Sequence, residues 1–333
     1  MENLNPKLSA IDRVIGNISE KEKQDIMEDY KKISHEQNVV REEYKQHETK
    51  KSEVTEKLFT LALARVNALC ERFGVPPLGW TKDNLHTSGA VFPDNPDGTG
   101  VFLTKEQQIW IIENNSLLAS PFDNLKTITH ELLHAAGYNA LQVDDVGGVK
   151  HEATYRGGLL VSERSGATNS SEKKVFFRNF NEAVLEEMTK GLMKECVDPI
   201  LETHQRFLNE ELTRLRNDPE QTSVPRDEVD DIAYIQDLWG GDFRYVLYTY
   251  GEPRRIYGKL YEKLFLANQK EYNSVEAVRD LAYRAVMQGN LLPLAKLIEK
   301  TFGVGTFRSL GEADADLEKL EAFVDSLKPM SVK

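Results

Sequence analysis

The chain has 333 residues, of which 40% are apolar and 29% charged, and a formal net charge of −12. That length allows roughly two domains and a sizeable core, while the absence of any apolar run near the ~18 residues a bilayer requires excludes a transmembrane helix. The acidic balance excludes a general nucleic-acid binder, because phosphate neutralisation needs clustered Lys and Arg.

The N-terminus, Met1 to Pro6, has no basic patch leading into an apolar stretch, so no secretory leader is expected. Two cysteines, Cys70 and Cys196, are too few for a disulfide framework and are expected to stay reduced, as in a cytoplasmic protein. Residues 1–75 read as a charged helical region. Ser19 is a good N-cap for the Lys- and Glu-rich run after it. Ile26, Met27, Tyr30, Ile33, Val39, Val40, Tyr44 and Val54 make only a thin stripe at helical spacing, which thickens from Leu58 through Leu61, Leu63, Val66, Leu69 and Cys70. The expectation is a long helix or helical hairpin whose later part docks on the body. Its exposed part is a candidate arm for a protein partner or a cover over the functional cleft. Gly74, Pro76 and Pro77 stop it.

Residues 76–198 change texture. The turn-rich run from Phe92 to Gly100 leads into two strand-like segments, Gly100 to Leu103 and Gln108 to Ile112, expected to form a hairpin. From Pro121 to Tyr138 the period becomes helical. Gly157 to Val161 reads as a further strand, Ser165 to Ser171 as a polar loop, and Phe180 to Cys196 as a second helix. Residues 199–333 read as a helical subdomain, with helices over Leu201 to Arg216, Asp230 to Trp239, Gly251 to Leu266, Val275 to Met287, Pro293 to Phe302 and Glu312 to Leu327. The class expected is therefore α+β, mostly helical, with a small mixed or antiparallel sheet.

The sharpest signal is Thr129-His130-Glu131-Leu132-Leu133-His134. On a helix, positions i and i+4 share a face, so His130 and His134 can present two imidazole nitrogens to one metal ion. Glu131 stands beside the first of them as a candidate general base. A catalytic zinc takes a third protein ligand. The metzincin spacing would require His at position 140, which is Ala140. Asp144, Asp145 and His151 are available, but Glu182 fits best. It sits among Ala183, Val184 and Leu185, where a carboxylate is costly unless paired or metal-bound. Glu186, one turn on, can accept the distal N–H of a ligating His. Glu187 reads as a solvated helix residue.

This order of features resembles the gluzincin group of zinc metallopeptidases: HExxH on one helix, then a strand and loop, then Asn181-Glu182-x-x-x-Glu186 on another. The texture is similar to the small members called minigluzincins. The resemblance covers about residues 98–196 and implies a zincin-like core with an active-site helix and a ligand helix. It implies one zinc held by His130, His134 and Glu182, with Glu186 behind them. The gap from His134 to Glu182 is longer than in the thermolysin-like branch, so His151 stays as a rival ligand.

The activity this resemblance implies is hydrolysis of a peptide or protein substrate, with Glu131 moving the proton of an activated water. The substrate is expected along the strand Ile109 to Ile112 by edge pairing. An oxyanion donor is expected among Tyr248, Tyr250, Arg254 and Arg255, with Tyr250 preferred. The alternative is a non-catalytic interaction scaffold with a structural or vestigial zinc site, which would need no general base.

Overall fold

The computed structural model describes residues 5–36, 42–92, 98–112, 121–162, 174–195, 202–217, 225–238 and 242–330. The charged N-terminal region is not one long helix. β1 (Arg13–Ile15) precedes α1 (Glu20–Glu36), and α2 (Glu42–Lys45) and β2 (Glu48–Thr49) precede α3 (Glu53–Phe73). Two separate start signals divide it. Ser19 and Glu22 bond reciprocally ahead of α1, and Ser52 accepts the Thr55 N–H at the start of α3. Gly74, at φ 68°, ends α3 by donating to the Cys70 and Glu71 carbonyls. The thick stripe on α3 is core: Leu58, Phe59, Ala62, Val66 and Cys70 are almost wholly buried. The thin stripe on α1 instead covers a small cluster with Ile11, Val14, Leu141 and Val143.

β3 (Leu85–Ser88), β4 (Gly100–Leu103) and β5 (Gln108–Ile112) complete a sheet in the order β2-β3-β5-β4. β4 and β5 form the expected antiparallel hairpin, and β3 runs parallel to β5. The expected placement of substrate along β5 is corrected by this order, because β5 has a strand on each side. Its unbroken apolar run is explained by burial on both faces. Ile109 and Ile111 join the main core, while Trp110 packs with Tyr44 and Phe92 on the other side. The edge strand on this side of the sheet is β4.

α4 (Pro121–Ala136) is followed by a long hairpin of β6 (Asn139–Val146) and β7 (Val149–Gly157), which periodicity does not reveal. Its turn is Gly147-Gly148, with φ 65° and 83°, the paired positive values that a two-residue hairpin demands. The strand expected over Gly157 to Val161 is two pieces: the end of β7 and the short β8 (Leu160–Ser162). With β9 (Val175–Phe176) the second sheet runs β1-β6-β7-β8-β9. The polar loop over Ser165 to Ser171, Cys196 and Trp239 lie outside the described residues.

α5 (Arg178–Lys194) and α6 (Glu202–Asn217) lead to the largest departure from expectation. The segment read as a helix from Asp230 is β10 (Ile232–Leu238), paired antiparallel with β11 (Asp242–Leu247). Ile232, Tyr234 and Ile235 suit a pleated surface and find a partner strand carrying Tyr245 and Val246. α7 (Gly251–Ala267), α8 (Val275–Gln288) and α9 (Leu292–Phe302) lie where expected. The last expected helix, over Glu312 to Leu327, begins late as α11 (Leu317–Ser326), and a further helix not expected, α10 (Thr306–Ala313), precedes it across a break.

The break has a cause. Asp314 is 1% exposed and turns inward, accepting the Asn179 and Phe180 N–H groups at 2.9 Å each and the Tyr257 hydroxyl. It supplies from the far end of the chain the N-terminal cap that α5 lacks, since Phe177 at the cap position makes no side-chain bond. Asp314→Ala strands three donors, two of them buried. It is expected to lower unfolding stability by about 2–4 kcal/mol, measurable by urea titration; a loss under about 0.5 kcal/mol would show that the cap carries no weight.

One apolar cluster joins Leu58 and Val66 of α3, Ile128 of α4, Phe180 of α5, Leu260 of α7 and Val324 of α11. The fold is a mostly helical α+β architecture with small mixed sheets. No helix among the described residues is long and apolar enough to cross a membrane.

Candidate metal centre

α4 turns one face to the core through Leu125, Ile128, Leu132 and Leu133, which are at most 1% exposed. The other face presents His130 and His134, whose rings lie 5.0 Å apart. The end of the helix is held by Asn139, whose side-chain amide donates to the His134 and Gly137 carbonyls. α5 packs across α4 and brings Glu182 to the histidines. Asn181, just before it, accepts the Leu159 N–H at 2.9 Å. This bond ties α5 to the turn at Gly158, where φ is 58° and a Cβ would stand 2.4 Å from the Asn181 oxygen.

The three side chains converge on one point. His130 Nε2 and His134 Nε2 each lie 3.3 Å from the same oxygen, Glu182 Oε2. These separations are long for hydrogen bonds. They match the spacing of ligands held about 2.0–2.1 Å from a tetrahedral centre, which is about 3.3–3.4 Å. All three ligand atoms lie within 4.8 Å of one another, and among the described residues no fourth His, Cys, Asp or Glu joins them. Glu186 is 1% exposed and meets His130 Nδ1 at 2.9 Å through Oε2. Its other oxygen accepts the Thr249 N–H at 2.8 Å and hydroxyl at 2.7 Å. With Nδ1 committed to Glu186, Nε2 is the His130 nitrogen that faces the convergence point and would give its lone pair to a cation there. The donor set therefore fits a divalent cation such as zinc.

Carboxylates and imidazoles hold one another in their charged forms. Burial opposes protonation of His130, but Glu182 and Glu186 hold it well above the usual imidazole range. Burial likewise opposes ionisation of Glu182, and the two imidazoles outweigh that and hold it below the usual carboxylate range. Glu186 is brought to about 2 despite its burial, by the His130 hydrogen bond and charge, then Lys126 and Thr249.

Glu131 lines the same cleft, which has a volume of about 660 Å³. Burial pushes its carboxyl up, opposed by His134, His130 and a bond from the Phe102 backbone N–H on β4. β4 approaches closely because Gly100 has no side chain. A Cβ there would meet Thr127 Cγ2 at 2.5 Å and Glu131 Oε1 at 3.0 Å.

Of the candidate oxyanion donors, Tyr250 lines the cleft, its ring stacked 6.1 Å from that of His130. It caps α7 in the left-handed region, at φ 55°, a strained conformation for a non-glycine. Burial, then the charges of Glu182, Glu131 and Glu186, raise its phenol above the usual range, so it remains a hydrogen-bond donor at neutral pH. The other candidates point elsewhere: Tyr248 is 7% exposed and packs in the core, and Arg255 pairs with Glu321. Arg254 bridges Glu187 and Asp231, which corrects the solvated reading of Glu187 and pins α7 to α5.

The rival ligand His151 lies exposed on β7, opposite Asp144, and does not line the cleft. No residue before Gly98 lines the cleft among the described residues. Sequence reasoning missed Thr249, the Phe102 amide and Gly100. Only Gly100 left a signal, a glycine at the mouth of a strand, and nothing local told it apart from a turn residue. Comparison with family models, curated proteins and solved structures finds no match for this chain.

Proposed function

We propose that this chain is a zinc-dependent peptidase of the gluzincin type. The reading is carried by the convergence of His130, His134 and Glu182 on one point in a cleft that Glu131 also lines. A bound zinc would polarise the scissile carbonyl and make a water acidic enough to lose its proton near neutral pH. The chain's own groups supply the rest. Glu131, its basicity raised by burial, takes that proton and hands it to the leaving amine. Tyr250 donates its hydroxyl to the developing oxyanion. β4, the edge strand beside the cleft, offers its backbone to an extended substrate. Glu186 and Thr249 hold His130 in one tautomer and orientation.

A purely structural zinc site closes with a fourth protein ligand, and the cluster of three found among the described residues supports the catalytic reading instead. Cys70 is a free, buried thiol pushed up to about 12 by its burial, which fits action in the reducing cytoplasm.

The test is metal content by mass spectrometry together with cleavage of a synthetic peptide mixture. One zinc per chain with peptide cleavage that chelator abolishes is expected. No metal after zinc is added back would end the reading. Gly100→Ala gives a finer check. The added methyl displaces the Glu131 carboxylate but no ligand, so hydrolysis is expected to fall about 10- to 100-fold with zinc content unchanged; unaltered turnover would show that the close approach of β4 is irrelevant to Glu131.

A further inference from the structure

Lys126 lies four residues before His130 on α4, hence on the same face of the helix. Its side chain is 9% exposed, and what is exposed faces the cleft. A lysine this buried ordinarily has a close anionic partner. Here the nearest carboxylate oxygen, that of Asp123, stands 3.9 Å from Nζ, beyond hydrogen-bond reach. The Asp123 carboxyl is instead bonded by the Tyr234 hydroxyl, and Glu186, the other carboxylate on which the Lys126 charge acts, has both oxygens engaged by His130 and Thr249. The same cleft carries the Thr99 and Thr127 hydroxyls, 3.3 Å apart.

We propose that Lys126 forms a substrate subsite that binds a carboxylate of the peptide close to the scissile bond. The claim rests on the peptidase reading above. Four helical residues span about 6 Å, and an extended peptide advances about 3.3 Å per residue. The ammonium therefore addresses the first or second residue beyond the scissile bond on that side. The carboxylate is either an Asp or Glu side chain or the free C-terminus of a short peptide.

The experiment uses the full-length, zinc-loaded protein and an equimolar synthetic peptide library made with free and with amidated C-termini. Cleavage sites are read by mass spectrometry, and retention of the library on immobilised Glu131→Gln protein is read separately. Expected are cleavage and retention enriched about 10- to 100-fold for peptides carrying the carboxylate. Loss of the preference on amidation identifies the C-terminus, and its persistence identifies the side chain. Lys126→Met should abolish the preference mainly through KM. Lys126→Arg should restore it, and Lys126→Glu should turn it toward Lys and Arg. An identical profile in wild type and Lys126→Met overturns the subsite, as does cleavage with no carboxylate preference, while leaving the peptidase reading intact. Lys126-dependent retention without any hydrolysis keeps the subsite and ends the peptidase reading.

Discussion

Glu131→Gln is expected to lower peptide hydrolysis by about three orders of magnitude or more, at the upper end of what a positioned general base contributes, while zinc content stays at one per chain. The two carboxyl oxygens and the amide that replaces them have nearly the same shape. The Phe102 N–H that now bonds Glu131 can still donate to the amide oxygen, so the local fold survives. What disappears is the capacity to accept a proton. Because burial already raises this carboxyl, removing its charge should leave thermal stability unchanged or slightly higher. Steady-state rates on a fluorogenic peptide, measured on the same samples as zinc content and the melting temperature, check all three parts. A variant with full activity would sink the proposed mechanism, and one that loses both activity and zinc would mean Glu131 is a ligand.

The second large effect separates Glu182 from Glu186, two carboxylates one turn apart on α5. Glu182→Ala, like His134→Ala, removes an atom from the convergence point and is expected to weaken zinc binding by more than about 100-fold, to the point that purified protein carries little metal. Glu186→Gln removes the charge behind His130 and leaves one acceptor oxygen, which can serve Thr249 or the His130 Nδ1–H but not both, and should cost about 10- to 100-fold in affinity. Competition with a chromophoric chelator measures both. Equal losses would show that Glu186 coordinates directly. Zinc fully retained in Glu182→Ala would move the third ligand elsewhere; His151, exposed on β7 and not lining the cleft, would have to move to reach it.

The candidate site was more legible than the fold around it. Spacing alone put His130 and His134 on one helical face, because the α-helical period is a local property. The costly placement of Glu182 among Ala183, Val184 and Leu185 marked it as bound to something. The helices of the C-terminal region were equally plain from periodicity. The misreadings share a cause. Asp230 to Trp239 lacks a strict alternation that would mark a strand, and pairing with β11 decides its conformation. β5 was read as an accessible strand because a continuous apolar run does not say which neighbours cover it.

The order of residues along the chain was enough to point to a candidate chemistry: two imidazoles at helical spacing, a carboxylate beside the first of them, and another carboxylate set among apolar residues on a second helix. The environment of that chemistry was settled by tertiary packing. Packing set which strand borders the cleft, which threonine holds Glu186, and that Asp314 caps α5 from 135 residues away. It also left Lys126 facing the cleft beyond hydrogen-bond reach of any described carboxylate. These are long-range pairings, and no local period or residue preference encodes them; they arise from the packing that closes the core.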